Sequence, residues 1–281
     1  MTGSGTRLSA VAQAILVTPK TLLVLGFIGS LAGVVLSSFL SKDGAPTFEL
    51  YRQLLGSLVI QNVIVRTVWI AALVTVLCTL VAYPVALFIA RSKHRNLLLV
   101  LVISPWLTSI VVRTFAWVVL LGNRGAVNAF LVSSGLIDSP IRIIFTPTAV
   151  VLGLVHVFAP FMVISILSVL LQQDRRLPEA GMSLGAGPIQ TFLRVTLPLS
   201  LPGVLSGGSI IYLLCSGAIV TPLLLGGLRD RMLGTQIFQE LFELYDYRRA
   251  AGMAVILLVT SLIIVIPMQI VDGRIRRWTR G

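Results

Sequence analysis

Only ten aspartates and glutamates occur in 281 residues, and charged residues of both signs make up 11%. A typical soluble domain carries about 25%. So few charges cannot clothe a water-exposed domain of this size, and a large soluble domain is excluded. Two cysteines, Cys78 and Cys215, both inside apolar runs, exclude a disulfide framework and zinc-ligand spacing. The two histidines, His94 and His156, have no ligand-like companions. No Gly-rich loop ending in Lys-Ser or Lys-Thr is present, so nucleotide is not held in that way. The spans lack both a Ser/His/Asp set and a metal-ligand pair, which speaks against a membrane hydrolase. Period-two alternation is missing too, which argues against a β-barrel.

What is present is oil. Hydrophobic residues make up 56% and the mean hydropathy is +0.98. A helix needs about 20 apolar residues to cross a bilayer. Six runs qualify, roughly 21–40, 65–90, 97–121, 146–171, 199–225 and 251–271. None contains Asp or Glu, and Arg66 and Arg113 are their only charges. The expectation is an all-α membrane protein with six transmembrane helices. The first run reads as a retained span rather than a removed signal peptide.

The net charge of +12 does not point to nucleic acid, because the bases collect at the ends of apolar runs. Lys/Arg excess marks the cytoplasmic side. With both termini cytoplasmic, the inner segments hold Arg7, Lys20, Arg91, Lys93, Arg95, Arg175, Arg176, Arg194, Arg274, Arg276, Arg277 and Arg280. They hold only three acids, Asp174, Glu179 and Asp272. The expected layout is a cytoplasmic segment 1–20, a transmembrane region 21–271 and a basic cytoplasmic tail 272–281. Between the outer ends of spans five and six, "GTQIFQELFELY" spaces Ile237, Phe238, Leu241, Phe242 and Tyr245 helically. It reads as an amphipathic helix on the outer face. A short helix is expected near "AVNAFLVSSG".

The semi-polar stretch 173–198 lies between spans four and five, on the inner side. Asp174 can cap a helix that takes Pro178 in its first turn. Leu177, Ala180, Gly181 and Leu184 share one face. Gly185 can end that helix in a left-handed conformation. Pro188 can open a second short helix with Ile189, Phe192 and Leu193 on one side, and Leu197-Pro198 is expected to break it before span five.

The same stretch resembles the signature loop of binding-protein-dependent ABC importer permeases. Glu179-Ala180-Gly181 is followed by three residues, Gly185, nine residues, then Val195, Thr196, Leu197 and Pro198. Two positions depart: Gly181 stands for an alanine and Val195 for an isoleucine. The resemblance implies a type I ABC importer permease-like fold. It also implies a coupling element, comprising Glu179, Ala180, Gly181, Gly185, Leu197 and Pro198, that docks on a dimer of ATP-binding subunits. ATP and Mg would sit on that partner, with no cofactor on this chain. The implied setting is the bacterial inner (plasma) membrane, with a periplasmic or extracellular solute-binding protein and a second permease subunit of six spans.

"SPWLTSIVVRTFAWVVLLGNRGAVN", "IDSPIRIIFTPTAVVLGLVHVFAPFMVISI" and "SGAIVTPLLLGG" are similar to the polyamine branch of that family, the spermidine/putrescine type. Relatives in this branch also carry opines, 4-aminobutyrate-like compounds and aminoethylphosphonate. With no acid in the spans, a cationic substrate would rely on aromatic faces such as Trp106, Trp117 and Tyr212. Ser216 and Thr221 are further candidates for the path. Two roles are open to Arg113: contact with an anionic substrate group, or pairing with helix-end carbonyls. The small-residue run "GVLSGGS" fits either a polar passage or close helix packing. A secondary transporter is the competing class, but the midplane acids and internal repeats common in that class are not evident.

Overall fold

The computed structural model describes residues 10–40, 45–174, 176–183, 185–227 and 229–280. Arg7, Arg175 and Leu184, used above, lie outside the described residues. The described chain is helical, with one isolated bridge between Leu40 and Pro46. In order, the helices are α1 (Ala10–Phe39), α2 (Glu49–Gly56), α3 (Leu58–Arg91), α4 (Arg95–Ile103), a 3₁₀ turn (Ser104–Leu107), α5 (Ile110–Leu121), α6 (Ala126–Ser133) and α7 (Pro147–Leu170). After them come α8 (Arg176–Ser183), α9 (Pro188–Thr191), a π turn (Phe192–Thr196), α10 (Leu197–Ser216), α11 (Val220–Leu225), α12 (Leu233–Phe242) and α13 (Tyr247–Arg280). Six stretches among the described residues are long and apolar enough to cross a membrane.

Local chemistry sets several starts. Thr146 caps α7 by accepting from the Ala149 amide at 3.4 Å, and Pro147 takes the first helical position, where its missing N–H costs nothing. Ser109 caps α5 through the Val111 amide at 3.3 Å. Asp246 caps α13 through the Arg249 amide at 2.9 Å. Pro84, Pro160, Pro202 and Pro267 lie inside helices. Spans tolerate such prolines when neighbouring groups satisfy the freed carbonyls.

The centre of the bundle is α3, α7 and α10. Ile70, Val74, Cys78 and Ala82 recur every four residues along α3 and are buried against Leu154, Met162 and Ile166 of α7 and Ile211 and Cys215 of α10. In lipid, such contact is held by van der Waals packing rather than by expulsion of water. Small residues set its closeness. A Cβ on Gly203 would lie 2.9 Å from the Ser165 carbonyl oxygen, and one on Gly207 would lie 2.8 Å from Ser165 Cβ. Ser206 bonds to the Pro202 carbonyl at 2.7 Å and to Ser165 Oγ at 3.2 Å. "GVLSGGS" therefore serves close packing of α10 on α7. By contrast, α1 is almost wholly exposed and packs against α13.

Four expectations need correction. The run 97–121 is not one helix. It is divided at Thr108 and Ser109, after the 3₁₀ turn that carries Pro105. The run 199–225 likewise ends as a helix at Ser216, and Gly217–Ile219 separate it from α11. Hydropathy is blind to both breaks because every residue around them is apolar or small. Leu197-Pro198 does not interrupt the chain, because Pro188–Ser216 is one continuous span. The π turn explains this: the Leu197 amide reaches back five residues to the Phe192 carbonyl, and the shifted register lets Pro198 enter without a break. Finally, the helix expected over 234–245 stops at Phe242. Leu233, Gly234, Thr235 and Glu240 are buried, Phe242 and Tyr245 are exposed, and Tyr245 lies beyond the helix with φ +55°. A short helix, α6, does form within 122–143. The last helix continues through Arg280, so the basic end is helical.

Candidate functional site

Two clusters carry the candidate residues, one at the start of α10 and one against the middle of α7.

The first is the element 174–198. The Asp174 carboxylate accepts from the Arg176 amide at 2.9 Å and starts α8. Glu179 and Ala180 are exposed on α8, and no ion pair among the described residues involves Glu179. Glu179 borders a cleft of about 500 Å³ together with Arg91 of α3, Gln173, Asp174, Thr191 and Phe192. Gly181 faces Thr191 and Val195; a Cβ there would stand 3.6 Å from Thr191 Cγ2, an ordinary contact. Gly185 has φ +87°, in the left-handed region, with open space around its Cα. It turns the chain from α8 into α9. Ile189 and Leu193 point outward, whereas Phe192 turns in to meet Tyr83 of α3 edge-on at 5.5 Å. The expected single apolar side of Ile189, Phe192 and Leu193 is therefore split. Leu197 and Pro198 sit in the first turn of α10. The result is a compact knob whose end is the start of a long span.

The second cluster surrounds the two helix breaks. Trp106, in the 3₁₀ turn, donates from its indole nitrogen to the Val157 carbonyl of α7 at 3.2 Å and packs on Phe161, the rings tilted by 43° with centroids 4.0 Å apart. Trp117 donates to His156 Nδ1 of α7 at 3.2 Å. Arg113 reaches back from α5 across the break, donating to the Pro105 carbonyl and to the Thr108 carbonyl at 2.9 Å. The Pro105 carbonyl also accepts from the Thr108 amide and hydroxyl, and the guanidinium caps the Thr108 carbonyl at the break. Of its two open roles, pairing with helix-end carbonyls is the one this structure displays. Trp106, Arg113 and Trp117 are thus gathered at α5 and its break, the two tryptophans anchored on α7.

Tyr212, Ser216 and Thr221 flank the other break and are buried within the chain. The Ser216 hydroxyl donates to the Tyr212 carbonyl at 2.7 Å. Thr221 Oγ1 is buried without a hydrogen-bond partner, the kind of orphaned polar atom that calls for an explanation. Thr221 and Leu225 press on Gly153 of α7, where a Cβ would lie 2.5 Å from Leu225 Cδ1.

Residues 82–280 match the family described as binding-protein-dependent transport system inner membrane component. The chain belongs to this family. The spermidine/putrescine transport system permease protein PotB of Escherichia coli is 34% identical over 232 residues, covering 80% of this chain and 84% of that protein. PotB of Haemophilus influenzae is 36% identical over 215 residues, covering 74% and 75%. A chain of a bacterial ABC transporter involved in the import of the acidic polysaccharide alginate superposes with a TM-score of 0.74. It covers 93% of this chain and 95% of that one at 20% identity, a likeness of fold. The protein is thus an all-α, six-span inner-membrane permease subunit with the type I importer fold.

Sequence reasoning missed several residues that hold the structure in place. Asn128 is buried and bonds the Ile141 amide and carbonyl, each at 3.0 Å, and the Gly122 carbonyl at 3.1 Å, closing the 122–143 loop. Its only sequence signal was an amide within an apolar run. Thr67 accepts from the Leu233 amide at 2.8 Å, a tie across 166 residues that no local pattern reveals. Glu240, buried on α12, pairs with Arg249 at 3.2 Å.

Proposed function

We propose that this chain is a permease subunit of an ATP-driven importer and passes a polyamine such as spermidine or putrescine, delivered by a solute-binding protein. The identity to spermidine/putrescine permeases over four-fifths of the chain carries this reading. Both termini and the 174–198 element face the cytoplasm, as the Lys/Arg bias requires. There the knob of α8 and α9 docks on an ATP-binding subunit, which holds ATP and Mg. Glu179, Ala180, Gly181 and Gly185 shape the docking face, and Leu197-Pro198 joins it to α10.

A compact lever continuous with a span suits the task of carrying nucleotide-driven closure into the membrane. A second six-span chain of a different kind completes the passage, since α3, α7 and α10 pack too tightly to enclose a solute. The path runs past Trp106, Trp117 and the α10–α11 break with Tyr212, Ser216 and Thr221. Aromatic faces and backbone carbonyls stand in for the absent carboxylates.

Reconstitution with the partner subunits and a panel of solute-binding proteins tests the proposal. Uptake of radiolabelled spermidine or putrescine that requires ATP supports it. Uptake driven by an ion gradient without ATP overturns the importer class. Stimulation only by an opine, 4-aminobutyrate or aminoethylphosphonate binding protein overturns the substrate.

A further inference from the structure

We propose that Thr67 is a positioning residue for transport: its hydroxyl fastens the start of α12 to α3 and so restrains the break at the far end of α10. The proposal rests on the permease reading above and adds the point at which movement of the lever is resisted.

The lever is long. Pro188 to Ser216 is one span of 29 residues, about 44 Å at 1.5 Å per residue. It runs from the docking knob to the break at Gly217–Ile219. A displacement applied at Gly185 is therefore delivered at that break. What bears on the break is the first turn of α12. A Cβ on Gly234 would lie 2.7 Å from the Ala218 carbonyl oxygen and 2.9 Å from the carbonyl carbon and oxygen of Gly217. Only glycine fits, so backbone rests on backbone.

That first turn and the segment leading into it are held from the side by two consecutive residues of α3. Thr67 Oγ1 accepts from the Leu233 amide at 2.8 Å and donates to the Val63 carbonyl at 2.7 Å, so the hydroxyl is committed in both directions. Arg66 donates to the Arg229 carbonyl in the turn that precedes α12. Thr67, Leu233 and Gly234 are buried, so water cannot readily replace the Leu233 partner. When α10 shifts, its end must either slide past Gly234 or carry α12 along, and both load the Thr67–Leu233 bond.

The test uses the complete complex in proteoliposomes, with Thr67→Val, its conservative control Thr67→Ser, and Arg66→Gln. Thr67→Val keeps the shape and removes the acceptor. Unlatching becomes about tenfold more populated, as expected for one buried N–H left unpaired. Amide hydrogen exchange at Leu233 then accelerates about tenfold, ATP hydrolysis without solute-binding protein rises, and solute taken up per ATP falls; Thr67→Ser stays near wild type. Arg66→Gln moves the same readouts in the same direction by less.

A merely structural role predicts lower complex yield with unchanged uptake per ATP in the complex that survives, and that result overturns the proposal. If Thr67→Val does not assemble, Arg66→Gln decides by the same criterion. The exchange arm is independent of transport. A wild-type complex without ATP-driven uptake, in which Thr67→Val still frees the Leu233 amide, sinks the importer reading and leaves the latch standing.

Discussion

The Tyr83 hydroxyl of α3 and the Ser200 hydroxyl of α10 are hydrogen-bonded to each other inside the bundle, one turn above the π turn. The Tyr83 ring also braces Phe192, within that turn, at 5.5 Å. One side chain on a neighbouring helix therefore steadies the joint between knob and span. Ser200 keeps a second bond to the Leu197 carbonyl at 3.0 Å. Tyr83→Phe removes the cross-helix bond but keeps the ring contact. It is expected to lower thermal stability of the detergent-purified complex by about 1 kcal/mol, measured as a shift in unfolding temperature. Tyr83→Ala loses the brace as well and destabilises by about 3–5 kcal/mol, the range for truncating a buried aromatic.

The two glycines of the knob respond oppositely. Gly181→Ala places its Cβ in ordinary contact with Thr191 and adds helix propensity of about 0.8–1 kcal/mol. Complex yield and coupled transport should hold or improve. Gly185→Ala meets no neighbour yet forces a side chain onto φ +87°, at about 1–2 kcal/mol. It should reduce both substrate-stimulated ATP hydrolysis and uptake while the protein still inserts. Wild-type activity in Gly185→Ala, at equal complex yield, would remove the bend from the coupling mechanism.

Glu179→Ala isolates the docking contact from the fold. The carboxylate is exposed and makes no ion pair among the described residues, so its loss should leave thermal stability within about 0.5 kcal/mol. Stimulated ATP hydrolysis should nonetheless fall. A stability loss without any change in hydrolysis would assign Glu179 to the fold instead.

Arg113 is expected to behave as a cap and not as a substrate ligand. Arg113→Met takes the charged donor from both carbonyls and leaves that of Thr108 without its partner, and should cost about 1.5–3 kcal/mol of stability. Arg113→Lys keeps the charge but not the planar fork and should fall between the two. The order in which competing solutes inhibit uptake should not change. A changed order, measured by competition in vesicles, would place the guanidinium on the substrate.

Orientation is open to chemical labelling. Cys78 and Cys215 are fully buried and should stay silent toward an impermeant maleimide. Lys93→Cys and Asp138→Cys lie in exposed turns at opposite ends of the bundle. In intact cells only Asp138→Cys should react. Labelling of Lys93→Cys alone would invert the topology.

The number of spans was legible because bilayer thickness imposes a length and a composition that hydropathy measures directly, but the third was placed too early, at 97–121 instead of Ile110–Ser133. The left-handed bend at Gly185 was legible too, because a glycine after a capped, proline-started turn has few other uses. What escaped were interruptions and ties. Thr108-Ser109 and Gly217–Ile219 break helices within apolar text, where no charge or polar cluster signals the change. Pro198 misled in the other direction, since a π turn five residues long is invisible as a pattern yet absorbs the proline. Among the candidates, Tyr212, Ser216 and Thr221 fell around one break, but their burial depends on α7 and α11. Gly153 meets Leu225 only in three dimensions. Thr67 and Leu233 likewise become partners only after the bundle has closed.

The exposed first helix sets an order in time. Its main packing partner is α13, made long after it. Until that final span is made, α1 has only lipid along most of its length. It must be stable in the bilayer as a single helix, and its freedom from charge between Thr21 and Phe39 allows this. Docking of α1 thus waits until α13 has been made. A chain halted before residue 247 leaves α1 inserted and without that partner.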